Sequence, residues 1–130
     1  MAVLGLAALT VLALAPAGAA TDGITDYPLC TADGVQAYPA AHGDRVVWVD
    51  YRSDADGDIW MYDYATGEET QVTDDESEQS DPDIWGDWVV YYDYRNGNGD
   101  IYATNVATGE ERVVCIDAAS QQRPKVCDDL

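Results

Sequence analysis

The chain repeats itself. Residues Pro39 to Arg52 (PAAHGDRVVWVDYR) return as Pro82 to Arg95 (PDIWGDWVVYYDYR), an offset of 43 residues. After a one-residue deletion, Gly57–Asp58–Ile59–Trp60 becomes Gly99–Asp100–Ile101–Tyr102. Ala65–Thr66–Gly67–Glu68–Glu69 then recurs unchanged as Ala107 to Glu111, an offset of 42. A period in this range marks propeller blades or solenoid units, which cannot bury their apolar faces alone and must stack. Two complete units run over 36–77 and 79–119. A third opens at 121, where Gln121 and Pro124 match Gln36 and Pro39, and Gln79 and Pro82.

Strand signals recur inside each unit. Arg45 to Tyr51 and Trp88 to Tyr94 are β-branched and aromatic, with apolar residues on both faces, as in a strand lying between two layers. Ile59 to Tyr64 and Ile101 to Val106 follow. Glu69 to Thr73 alternates with polar residues, as an outer edge strand does. Thr66–Gly67 and Thr108–Gly109 suit a type I turn closed by a left-handed residue. A brief strand at Asp81–Ile84 makes four per blade. The expected class is all-β, with four-stranded antiparallel propeller blades, about two of them.

The spaced motifs are Gln three residues before Pro, Gly-Asp before an apolar strand, Asp-x-Arg, Gly-Asp-Ile-Trp/Tyr and Thr-Gly-Glu. Over about 36–126 this pattern resembles the TolB-type, WD-like β-propeller repeat of exported bacterial and archaeal proteins. Propellers of that family close a ring of six or more blades, more than this chain holds. The resemblance implies protein or ligand binding at the cell envelope, in some members as the propeller part of an enzyme.

Residues 1–20 read as a signal peptide, since Val3 to Ala15 is almost unbroken apolar sequence followed by Pro16 and the small residues 17–20. The run is too short to span a membrane, and no Lys or Arg precedes it. The alternative, an ordinary apolar helix, would offer water no polar face. Residues 21–28 read as a linker, and 29–130 as the repeat region. The expected location is extracellular, periplasmic or at the cell envelope, with no membrane insertion once the signal is removed.

A formal charge of −19, from 25 acidic residues against six basic ones, repels nucleic acid and anionic membranes. Four Trp and nine Tyr supply core material, which argues against disorder. Cys30, Cys115 and Cys127 are odd in number. Cys30 and Cys115 occupy the slot that Thr73 fills in the middle copy, nine residues before Pro, so they read as structural thiols in a small, half-buried position.

Asp54, Asp56 and Asp58 alternate as Ca²⁺ ligands do. The loop lacks the Gly and Glu spacing of an EF-hand, and its copy, Asn96 to Asp100, keeps one carboxylate. Asp, Asn and Gly are also turn formers, so the loop reads as a turn with at most weak Ca²⁺ binding and no cofactor. Asp50–Tyr51–Arg52 and Asp93–Tyr94–Arg95 suggest an ion pair between blades. His42 is the only histidine, and Ser53, Ser77, Ser80 and Ser120 lack a nucleophile elbow. Tyr38, Trp85 and Trp88 fall near the channel-lining strands, where stacking on a sugar or peptide competes with core packing as an explanation.

The functional expectation is an exported, non-catalytic propeller segment serving binding or assembly. The alternatives are the propeller portion of a larger hydrolase or lyase, and a fragment without independent function. Two blades leave sheet faces uncovered, with Val47, Trp48, Val90 and Tyr91 expected on them. The chain is therefore expected to self-associate or belong to a longer propeller. Three copies would close six blades, with Gln121 to Leu130 giving the neighbour a first strand.

Overall fold

A computed structural model describes residues 28–53 and 55–128. The expected signal peptide, nearly all of the linker, and Asp54 lie outside the described residues. Eight strands form two antiparallel sheets of four. The first sheet holds β1 (Gln36–His42), β2 (Arg45–Asp50), β3 (Asp58–Asp63) and β4 (Glu68–Gln71) in that order. The second holds β5 (Gln79–Trp85), β6 (Trp88–Asp93), β7 (Asp100–Asn105) and β8 (Glu111–Cys115), again in chain order. The described residues contain no helix.

Turn chemistry sets the hairpins. Gly67 and Gly109 take φ of 73° and 74°, and their N–H groups donate back to Asp63 and Asn105 at 2.7 and 2.8 Å. The side chains of Asp63 and Asn105 accept from Ala65 and Ala107 at 2.8 and 3.0 Å, closing the same turn twice.

The blades stack face to face. Val47, Val49, Ile59 and Met61 of the first meet Ile84, Val89, Tyr91 and Tyr102 of the second, with Val72 and Val106 packed at the edge. Each such side chain stabilises the fold by about 1.5–3 kcal/mol on burial, so this seam dominates the packing. The four residues expected on open faces are all buried. Val47 and Tyr91 belong to the seam. Trp48 (3% exposed) lies beside Leu29 and Cys30, and Val90 (3%) lies in a second cluster with Trp88, Ala103 and Val126. Strands β4 and β8 are exposed throughout, as expected of outer edges.

The innermost strands are longer than Asp81–Ile84 suggests. Both β1 and β5 run seven residues straight through a proline, because each carries a bulge there, between Ala37 and Ala40 and between Ser80 and Asp83. The bulge removes the ladder position that a proline cannot serve. The repeated Gln fixes the entry to each strand. Its Nε2 donates to backbone oxygens upstream, from Gln36 to Ala32 (3.3 Å), from Gln79 to Asp75 (3.4 Å), and from Gln121 to Ala119.

The third partial repeat forms no strand. It nonetheless docks as its counterpart does: the Gln121 N–H donates to Gly99 O at 2.7 Å, as Gln79 N–H donates to Gly57 O at 3.3 Å. Val126 settles on the second blade, in the place that Ile84 takes on the first.

Candidate binding site at the innermost strands

Three X–Pro steps converge on one cleft of about 230 Å³. Its walls are Tyr38–Pro39, Asp81–Pro82 and Arg123–Pro124, with Lys125 beside them. A residue before proline ordinarily stays extended. Here Tyr38, Asp81 and Arg123 all take left-handed backbone, with φ of 53°, 48° and 54°. Left-handed geometry costs an L-residue roughly 1–2 kcal/mol, less for Asp, and it turns each side chain out of the ladder toward the cleft. Tyr38 is 55% exposed there.

Further aromatic and acidic groups lie within electrostatic reach of Tyr38 and Asp81. The Tyr51 phenol is raised above its ordinary value by burial, then by the nearby charge of Glu78, Tyr38 and Asp81. Tyr92 is raised by burial, then by Glu78, Tyr94 and Asp81. Lys125 Nζ lies 3.5 Å from Asp83 Oδ1, while Asp83 Oδ2 accepts the Val126 N–H at 3.0 Å. The cleft thus offers a phenol, the Asp81 carboxylate and two cations within one small volume. That set suits a polar ligand or peptide segment carrying mixed charge.

The Asp-x-Arg pairs lie within blades, a correction to the expected bridge between them. Asp50 accepts from the Trp48 indole (2.9 Å), the Arg52 N–H (2.9 Å) and Arg52 Nη2 (2.6 Å). Arg52 then runs along its own sheet over the Trp60 ring, at 3.9 Å, to Glu69 on β4. Arg95 repeats this, bonding Asp93 at 2.6 Å, lying 4.1 Å over Tyr102, and reaching Glu111 on β8. Burial alone would raise Asp50, but the Arg52 and Trp48 hydrogen bonds outweigh it and hold the carboxyl at about 2. An acid locked in the ionised form by three donors is a structural anchor and exchanges no proton near neutrality.

The contact between blades comes instead from Arg45, which bonds Asp63 at 3.1 Å and crosses to Asp87 at 2.5 Å and Gly86 O at 3.0 Å. His42 reinforces it. Its Nδ1 accepts the Gly86 N–H at 3.0 Å, and its ring stacks on Trp85 at 4.2 Å. Trp85 and His42 hold the same repeat position, yet they face one another across the seam. Trp88 is buried beneath the Arg112 guanidinium.

The Asp54–Asp58 loop is only partly within the description. Asp56 is exposed, and Asp58 is buried at the start of β3, accepting from Gln71 Nε2 at 3.0 Å. In the second copy, Asn96 and Asn98 donate to Asp100 at 2.8 and 3.2 Å, the pattern of a turn anchored on one acid. No group of three His, Cys, Asp or Glu among the described residues is placed to hold a metal. Of the shared cysteine slot, Thr73 is buried and joins the Ile59 N–H to Gln79, Cys30 is half-buried against Asp50 and Arg52, and Cys115 is exposed; these two thiols and that of exposed Cys127 are free. The sequence reading named Tyr38 as channel-lining and missed Asp81 and Arg123. The sequence shows only that the three copies carry different side chains before proline, and their shared left-handed backbone has no sequence signal.

No protein-family model matches the chain, and no curated protein matches it. Solved structures do. A protein assigned as TolB from Agrobacterium tumefaciens superposes with a TM-score of 0.65 at 20% identity, covering 74% of this chain and 35% of that one. TolB from Acinetobacter baumannii gives 0.64 at 14% identity, covering 75% and 25%. The tricorn protease gives 0.51 at 21% identity, covering 61% and 8%. The fold is that of TolB-type propeller blades, and the chain spans about a third and a quarter of the two TolB proteins it matches.

Proposed function

We propose that this chain is an exported, non-catalytic propeller segment that binds a protein or small ligand at the cell envelope through the cleft between its innermost strands. One observation carries the reading. Three copies keep the same strained backbone before proline while presenting Tyr38, Asp81 and Arg123. Strain maintained at a fixed point with varied side chains is what a recognition surface requires and what packing alone does not. Export rests on the apolar run Val3 to Ala15, and the envelope on the resemblance to TolB-type repeats.

The test is photo-crosslinking in the native host with a photoreactive phenylalanine at position 38 and a control at exposed Thr108. A discrete adduct from position 38, absent from 108 and lost on D81A with R123A, supports the reading. Equal adducts from both positions overturn it.

A second reading, the propeller portion of a larger hydrolase, draws on the likeness to the tricorn protease, which extends to fold alone. The mass of the mature protein isolated from its host separates the two. A species far heavier than this chain, carrying hydrolase activity in the same polypeptide, selects the second.

A further inference from the structure

The internal seam describes a partner that the two outer faces fit. Shifting its residues by one repeat maps Val47, Ile59 and Met61 onto Val90, Ile101 and Ala103 of the second blade's outer face. The same shift maps Val89, Tyr91 and Tyr102 onto Val46, Trp48 and Trp60 of the first blade's outer face. At these six positions each outer face has the chemistry of one side of the seam, while Ile84 maps onto the smaller Ala41 and Val49 onto Tyr92. The edge positions make this visible. Val72 and Val106 are half-buried at the seam, whereas their counterparts Val114 and Tyr64 are 48% and 62% exposed.

Each outer face carries a flanking segment: Leu29 and Cys30 lie beside Trp48 on the first, and the longer one lies on the second. Residues 121–127 hold the seat of a following blade's innermost strand, with Val126 on Trp88, Val90 and Ala103. Their anchors are few, including the Gln121 bond to Gly99 O and the Val126 bond to Asp83. By contrast, β1 is laddered to β2 through five registered pairs. Where β1 of another copy competes with residues 121–127 for one seat, residues 121–127 are the ones that yield.

We propose that copies of this chain join head to tail, the second blade of one against the first blade of the next, with residues 121–127 as a built-in competitor that association displaces. The contact is heterologous, so it closes a ring when the blade rotation allows. The described residues supply two blades, so a ring of four to eight built from them takes two to four copies.

Sedimentation velocity on the mature chain tests this with four variants. Y64D spoils only the first blade's outer face, V114D only the second's, and both sites are exposed enough to leave folding intact. The mature chain is expected to associate reversibly into two to four copies. Each variant alone is expected to be monomeric, and their equimolar mixture to form a 1:1 dimer through the one intact pair of faces. V126D loosens residues 121–127 and is expected to tighten association about tenfold, roughly 1.4 kcal/mol. V126S, which removes only the apolar contact, repeats the measurement where V126D does not melt cooperatively. The proposal is overturned if the mature chain and V126D both stay monomeric, if Y64D or V114D alone still associates, if their mixture stays monomeric, or if loosening residues 121–127 weakens association.

Discussion

Asp50→Asn isolates the electrostatic anchor of the first blade. Asp50 is 1% exposed and receives the Trp48 indole, the Arg52 amide and the Arg52 guanidinium. Its carboxyl is held at about 2 against an ordinary 3.8. At 1.36 kcal/mol per unit, that depression contributes roughly 2 kcal/mol to stability. Asn keeps the shape and one acceptor, so the substitution is expected to cost about 2 kcal/mol at pH 7 with little repacking. Because the folded value lies below the unfolded one, the contribution is complete above about pH 4 and fades as pH falls from 3.8 toward 2. Urea denaturation followed by tryptophan fluorescence reads it: a midpoint shift of about 1 M at neutral pH for a typical urea slope, shrinking toward zero near pH 2. The chain carries 25 acidic residues, so only the difference between wild type and variant at each pH is informative. A neutral-pH difference below about 0.5 kcal/mol, or one that persists undiminished at pH 2, refutes the reasoning.

Gln79→Ala removes a fully buried amide that accepts from Thr73 and donates to the Asp75 and Ser77 carbonyls; a loss of about 2–3 kcal/mol is expected by the same denaturation assay. Gly57 and Gly43 both hold positive φ, but a Cβ on Gly57 would lie 2.8 Å from Tyr51 and 2.9 Å from Val49, while Gly43 has open space. Gly57→Ala is therefore expected to lower the melting temperature clearly more than Gly43→Ala, and equal effects count against the packing described. Calorimetric titration with Ca²⁺ is expected to give only weak, diffuse binding to the acidic surface; one tight stoichiometric site abolished by Asp56→Ala refutes that.

The repeat made the blades legible because a duplicated pattern reports the same strand twice. Val46–Val49 and Val89–Tyr92 could not both be surface strands with apolar residues on each face. The longer reach of β1 and β5 was hidden, since Pro39 and Pro82 read as strand boundaries until the bulge explains how the ladder passes them. Asp-x-Arg was correctly read as an ion pair and wrongly directed across the seam. Repetition shows that a pair recurs, whereas its direction depends on the length of Arg52 and on the Trp60 ring that carries it toward Glu69. The true bridge, Arg45 to Asp87, escaped notice because the second copy has Trp88 in place of Arg45. Repeat logic discards whatever occurs once. The cleft was half legible for the mirror-image reason: what matters at positions 38, 81 and 123 is the constancy of the backbone, which no side chain reveals.

Those three positions separate stability from recognition in a way that protein engineers can use. Selection for folding alone would favour Gly or Asn before each proline, because those residues enter left-handed backbone most easily. Tyr38→Asn is therefore a relaxing substitution for the scaffold, even as it deletes an exposed aromatic group. Side chains at 38, 81 and 123 can be randomised together without disturbing the seam, since none of them belongs to it. The chain is a ready frame for a combinatorial library whose diversity sits on three fixed struts.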